Sequence, residues 1–220
     1  MFANRRAAGE ALAEALRSVV GRDPLILGVP RGGVPVAFAV WQRLGGDLDI
    51  IQPRKIGSPF NPELAIGAVA PDGTRIIDTG LVNHLGVSTR YVESEAARQA
   101  VEARRRVQLY RGARPWPSFQ GRTVVLVDDG VATGASDQLA LRLLRRQAPA
   151  RLILGVPVAP AETLIRLEAE ADQVVCLRTP PDFQAVGQFY ADFAPVTDEE
   201  VRQLLTQAWG QGAALPQNPS

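Results

Sequence analysis

The chain has 220 residues, of which 46% are hydrophobic and 21% charged, with a formal net charge of +1. That length suits one sizeable core and falls short of two full domains, and the composition excludes disorder as the main theme. The charge balance gives no reason to expect nucleic acid as a partner, the single cysteine excludes an internal disulfide or a cysteine metal cluster, and no apolar run is long enough for a membrane-spanning helix.

The first residues, Met1 to Arg6, lead into an alanine-rich amphipathic pattern rather than a signal-type apolar core, so a cytoplasmic location is expected. Leu12, Leu16 and Val19 fall at helical spacing and predict a helix from about Arg5 to Val20, ending near Gly21. Leu25 to Val29 reads as a short buried strand, stopped by Pro30-Arg31-Gly32-Gly33, and a helix follows from about Val34 to Leu44. Asp49 to Gln52 is a second strand, with Pro53-Arg54-Lys55 at its end. Gly57 to Asn61 has loop composition. Glu63 to Val69 and Thr74 to Ile77 then read as two strands joined across Pro71-Asp72-Gly73.

A long helix is expected from about Ser88 to Tyr110, then a turn at Arg114-Pro115-Trp116-Pro117. From there strands and helices alternate: strand 124–127, helix 135–146, strand 152–156, helix 161–171 and strand 174–177, where Cys176 reads as a small buried hydrophobe. Such alternation describes right-handed crossovers in a sheet buried on both faces. Residues 178–195 hold Phe183, Phe189, Tyr190 and Phe193. A last helix is expected from about Asp198 to Trp209, and residues 216–220 read as a frayed tail. The fold class is thus α/β, an open, mainly parallel sheet flanked by helices, with residues 1–215 as a single domain.

The chemistry concentrates in Val124 to Ser136. Four apolar residues deliver Asp128 and Asp129 to the carboxyl end of a strand, where open α/β sheets place their ligands. Ionised carboxylates only accept hydrogen bonds, which suits the neighbouring hydroxyls of a sugar or the hydration shell of a cation. Gly130, Val131, Ala132, Thr133, Gly134, Ala135 and Ser136 then turn into a helix, whose free N–H groups, with two hydroxyls, make an anion site a few residues from the acids.

This segment resembles the phosphoribosyl diphosphate binding signature of type I phosphoribosyltransferases. The resemblance implies that Asp128 and Asp129 hold the ribose hydroxyls and contact Mg²⁺, and that residues 130–136 wrap the 5-phosphate. Gly28 to Val34 resembles the family's diphosphate loop, in which Arg31, Gly32 and Gly33 meet the leaving group and a bond bordering Arg31 or Gly32 is a candidate cis peptide. Arg54 and Lys55 are further candidate diphosphate ligands, and Arg31 and Lys55 join the two acids as candidate catalytic groups. The family also implies a flap, here residues 56–76 with Glu63 at its base, and a base-recognition hood, here residues 178–195. The implied reaction is Mg²⁺-dependent transfer of the 5-phosphoribosyl group to a nitrogenous base, with phosphoribosyl diphosphate and a small base or nucleotide as partners and a homodimer as an expected assembly. A protein that only senses phosphoribosyl diphosphate or a nucleotide is the alternative. Ala132 stands where members acting on 6-oxopurines usually carry an aspartate, which weighs against hypoxanthine or guanine. His84, the sole histidine, reads as local structure.

Overall fold

The computed structural model describes residues 1–62 and 64–211. The first half of the chain runs α1 (Arg5–Val20), β1 (Leu25–Gly28), α2 (Gly33–Leu44), β2 (Asp47–Ile50), β3 (Arg54–Gly57), β4 (Ala65–Val69), β5 (Arg75–Ile77), α3 (Thr79–His84) and α4 (Thr89–Arg111). The second half runs β6 (Thr123–Val127), α5 (Ala135–Arg145), β7 (Arg151–Val158), α6 (Ala161–Glu168), β8 (Gln173–Arg178), a short 3₁₀ turn at Val186–Phe189, and α7 (Asp198–Gln211).

Five strands form one parallel sheet in the order β2-β1-β6-β7-β8, with Gly28 paired to both Ile50 and Val127 at its carboxyl end. Side chains alternate across the pleat, and here both faces are buried. Ile26, Val125, Val127 and Ile153 pack with Leu12 and Leu16 of α1, Val40 of α2 and Leu205 of α7. Leu25, Leu27, Val124, Leu126, Leu152 and Leu154 face the other way, against Leu141 and Leu144 of α5 and Leu167 of α6. The near-continuous apolar runs of the sequence are therefore two interleaved faces.

A second, antiparallel sheet, β3-β4-β5, stands beside the first. Its Ile56, Ile66 and Val69 pack with Val92, Ala96 and Ala100 of α4 and with Val87, while Ala68 and Ala70 meet Leu143 of α5. The segment expected to be a flap lies within this sheet. Several placements differ from the sequence reading, among them the unexpected short helix α3 and the extension of β7 to Val158. The β2 ladder ends at Ile50, and Arg54 and Lys55 open β3 rather than closing β2. Pro53 accounts for the break, because it has no N–H to continue a ladder. The helix expected over 161–171 stops at Glu168. Glu63 and the tail at 216–220 lie outside the described residues.

The edge strand β2 is closed by buried charge. Asp49 receives Arg111 at the end of α4 through two hydrogen bonds of 2.7 and 2.8 Å, and both residues are buried. Arg111 also donates to the carbonyls of Arg114 and Pro115 and lies 3.8 Å from the centre of the Trp116 ring. The turn between α4 and β6 is fixed by this one guanidinium. Nearby, the indole N–H of Trp41 donates to Gly46 O and that of Trp209 to Leu48 O. Truncating Asp49 leaves a buried, unpaired cation, so Asp49→Ala is expected to lower unfolding free energy by about 3–5 kcal/mol, measured by urea titration at pH 7.

Candidate functional site

β1 and β6 end side by side, and their turns touch. The turn after β1 carries a cis peptide at Pro30–Arg31, one of the bonds singled out from the sequence, and enters α2 through Gly32 and Gly33. The turn after β6 carries Asp128 and Asp129 and enters α5 through Gly134, whose φ of 72° is a left-handed conformation that favours glycine. A Cβ on Gly32 would lie 2.0 Å from Asp129 Oδ2, and one on Gly33 would lie 2.7 Å from the Val127 carbonyl and 2.8 Å from Asp128 Oδ1. Only glycine at both positions lets the turns approach this closely.

Within the acidic turn, Asp128 Oδ1 accepts the N–H of Asp129 at 2.8 Å. The Val131 side chain is buried among the α5 and α6 residues and its N–H donates to the Val158 carbonyl, so this residue anchors the turn rather than offering a donor to a ligand. Thr133, Ala135 and Ser136 are exposed at the start of α5, where first-turn N–H groups have no intrahelical partner. Two α6 side chains support the turn from behind. Thr163 donates to the Ala132 carbonyl at 2.8 Å and Arg166 to the Thr133 carbonyl at 3.2 Å.

The electrostatics are dominated by buried acid. Burial pushes the Asp128 carboxyl well above the ordinary carboxylate range, reinforced by the charges of Asp137 and Asp129. Burial also raises Asp129, against the lowering effect of a 2.7 Å hydrogen bond from Arg5 Nε. Asp137, in the first turn of α5, is 4% exposed, and burial pushes its carboxyl up to about 7. Its Oδ1 has no hydrogen-bond partner. The Gln52 Oε1, just beyond the end of β2, is a second buried acceptor without a partner.

The remaining sequence candidates disperse. Arg31 is half exposed, with Nη1 3.8 Å from Asp198 Oδ1 at the start of α7; the same oxygen accepts the Tyr110 hydroxyl at 2.7 Å. Burial and the Asp198 carboxylate push Tyr110 up to about 12. Arg54 turns toward α4, donating to Gln99 Oε1 at 2.9 Å, and burial together with Arg106 lowers its pKa. Lys55 lies opposite Ala68 in the antiparallel sheet. Tyr190, a candidate for stacking on a base, is buried against Phe2 and Phe193 and donates its hydroxyl to the Asp129 carbonyl. Phe183 and Phe189 stack on each other with centroids 5.4 Å apart.

Arg5, Asp137, Thr163, Arg166 and Asp198 escape the motif. Asp137 alone had a sequence signal, since it shares the helical stripe of Leu141 and Leu144, where a solvated acid would not sit.

The family model for the phosphoribosyl transferase domain matches residues 3–194. Two proteins of Mycobacterium tuberculosis, from strains H37Rv and CDC 1551, provisionally named as phosphoribosyl transferases, are each 39% identical over 208 residues, or 94% of this chain and 47% of theirs. The chain thus spans about half the length of these curated relatives. The crystal structure of TT1426 from Thermus thermophilus is 47% identical, with a TM-score of 0.86 over 94% of this chain and 98% of that one.

The raised carboxyl of Asp137 gives a pH signature. Between the ordinary value of 3.8 and about 7, the folded chain holds a proton that the unfolded chain releases, so stability falls as pH rises through that window. Asp137→Asn is therefore expected to raise the thermal midpoint in chelator-containing buffer at pH 8 and to change it little at pH 4. The difference is on the order of a few kcal/mol, at about 1.4 kcal/mol per pKa unit.

Proposed function

The chain belongs to the phosphoribosyl transferase family, and on that premise we propose that it transfers the 5-phosphoribosyl group of phosphoribosyl diphosphate to a nitrogenous base with release of diphosphate. The observation that supports this reading is the contact between the two turns, which sets Gly32 and Gly33 against Asp129 and Asp128. Each turn opens a helix, so both ends of a doubly phosphorylated sugar meet a positive helix terminus.

In this reading the start of α5, with the Thr133 and Ser136 hydroxyls, holds the 5-phosphate, and Asp128 accepts hydrogen bonds from the ribose hydroxyls. The diphosphate lies along Gly32 and Gly33. Arg31 supplies a guanidinium to it, and its half-exposed pairing with Asp198 is weak enough to give up. Arg54 and Lys55 belong to the sheet β3-β5, and that sheet is the proposed cover that keeps water from the reacting sugar carbon. Residues 178–195 form the proposed hood. Catalysis then consists of fixing the ribose and stabilising the negative leaving group, with no covalent intermediate.

A divalent cation fits the acidic turn. Asp128 and Asp137 are desolvated carboxylates, and Asp137 has a free oxygen. Among the described residues no cluster of three metal-binding side chains exists, so Mg²⁺ would take its other ligands from substrate and water. Of the two acids first assigned to the ion, Asp128 is the better placed, because Asp129 already carries Arg5. Bound there, Mg²⁺ would neutralise charge on the diphosphate.

The acceptor is narrowed by Ala132, which presents a methyl group and a carbonyl already taken by Thr163. With Mg²⁺, phosphoribosyl diphosphate and a panel of bases, diphosphate and a new nucleotide are expected in equal amounts, and hypoxanthine and guanine are expected to give none. Binding without release for every acceptor would instead identify a sensor. Thr133→Val is expected to raise the KM for phosphoribosyl diphosphate roughly tenfold, the worth of one hydrogen bond to a charged group, and to leave the thermal midpoint unchanged.

A further inference from the structure

The two adjacent acids of the turn are not equivalent, and the difference is made 124 residues away in sequence, at Arg5. The Arg5 and Asp129 side chains are 12% and 13% exposed and meet at 2.7 Å. The guanidinium is held on two further sides. Its Nη1 donates to the Ala194 carbonyl at 2.8 Å, and its carbon lies 3.9 Å from the centre of the Phe193 ring. Asp129 is held as firmly. Its carbonyl accepts the Tyr190 hydroxyl, and its Oδ2 presses on Gly32 of the neighbouring turn. Val186 closes over the next residue, so near that a Cβ on Gly130 would come within 2.5 Å of it.

Asp128 also stands against the neighbouring turn, at Gly33, but differs in its partners. Among the described residues no cation lies within ion-pair distance of it, and the charges of Asp137 and Asp129 act on it more strongly than that of Arg5. Its Oδ1 accepts the N–H of Asp129. A carboxylate in that state gains from any donor that reaches it, whereas Asp129 already receives a partly buried, charge-assisted hydrogen bond from Arg5 and gains less from a further donor.

We propose that Arg5 is a positioning residue that engages Asp129 as a brace, so that the ribose hydroxyls are received by Asp128. The inference rests on the phosphoribosyl reading of the site and goes beyond it by separating the two acids. Arg5 acts through Asp129. It ties the first turn of α1 and the segment 186–194 to the acidic turn and fixes where Asp128 stands against Gly33.

The test is isothermal titration of ribose 5-phosphate, in Mg²⁺, into the wild-type chain and into the variants Asp128→Asn, Asp129→Asn, Arg5→Met, Arg5→Lys and the double variant Arg5→Met with Asp129→Asn. Asp128→Asn is expected to weaken binding roughly 100-fold, through two hydrogen bonds to a charged acceptor. Asp129→Asn and Arg5→Met are each expected to weaken it about tenfold or less, and the double variant no further than the weaker-binding single one, as for two members of one interaction. Arg5→Lys keeps a charge opposite Asp129 but loses the fork that also reaches Ala194 and the stack on Phe193, and is expected to bind more tightly than Arg5→Met without regaining wild-type affinity.

Equal losses for the two acids, with additive effects of Arg5→Met and Asp129→Asn, would overturn the inference and place Asp129 on the sugar. So would Arg5→Lys binding as weakly as Arg5→Met. A wild-type chain that does not bind ribose 5-phosphate would remove the phosphoribosyl reading itself, and this inference with it.

Discussion

Three carboxyl groups, Asp128, Asp129 and Asp137, share the partly buried space at the end of β6, and one guanidinium, that of Arg5, pairs with one of them, Asp129. Charge in such a place is costly unless it is paired. The helix α5 begins there and sets its positive end beside the acids, which offsets part of the repulsion. The rest is relieved in the free chain by holding protons, because burial raises these carboxyls. In the proposed reading a bound cation and the hydroxyls of a sugar would let these carboxyls ionise, so the tension among the crowded acids and the affinity for ligand would have one origin.

Holding that tension requires support from several directions. The sheet supplies rigid strand ends, with Gly28 and Val127 paired in register. Thr163 and Arg166 reach over from α6 to fix the carbonyls of Ala132 and Thr133. The segment 186–194 covers the other side, itself tied to the start of the chain by backbone hydrogen bonds between Phe2 and residues 189 and 191. Each support reaches the turn from a different element. The site is therefore braced by the core beneath it, although it is built from loops.

The sequence made one half of this legible. The turns at 28–34 and 124–136 are contiguous, and their glycines, acids and hydroxyls occur at the spacings the geometry uses. The parallel order of the sheet followed from alternating strands and helices. What the sequence hid was distant pairing. Arg5 opens an amphipathic helix and looks like any solvated cation until the fold sets it on Asp129. Asp198 and Tyr110 meet Arg31 only because α4 and α7 converge beside the first turn. Arg54 and Lys55 were assigned to the end of β2 because they follow it directly, yet Pro53 breaks the ladder there and the chain starts a second sheet. Local chemistry is written in order along the chain, and charge balance is not.

The closure of the β2 edge also decides what light can report about this molecule. The chain has three tryptophans, and all three gather around that one strand. Trp41 and Trp209 hydrogen-bond to the carbonyls of Gly46 and Leu48, and Trp116 lies under the guanidinium that grips Asp49. None of them touches the acidic turn. Intrinsic indole emission is thus an optical record of one sheet edge coming apart, and occupancy of the proposed sugar site calls for a chromophore on the ligand.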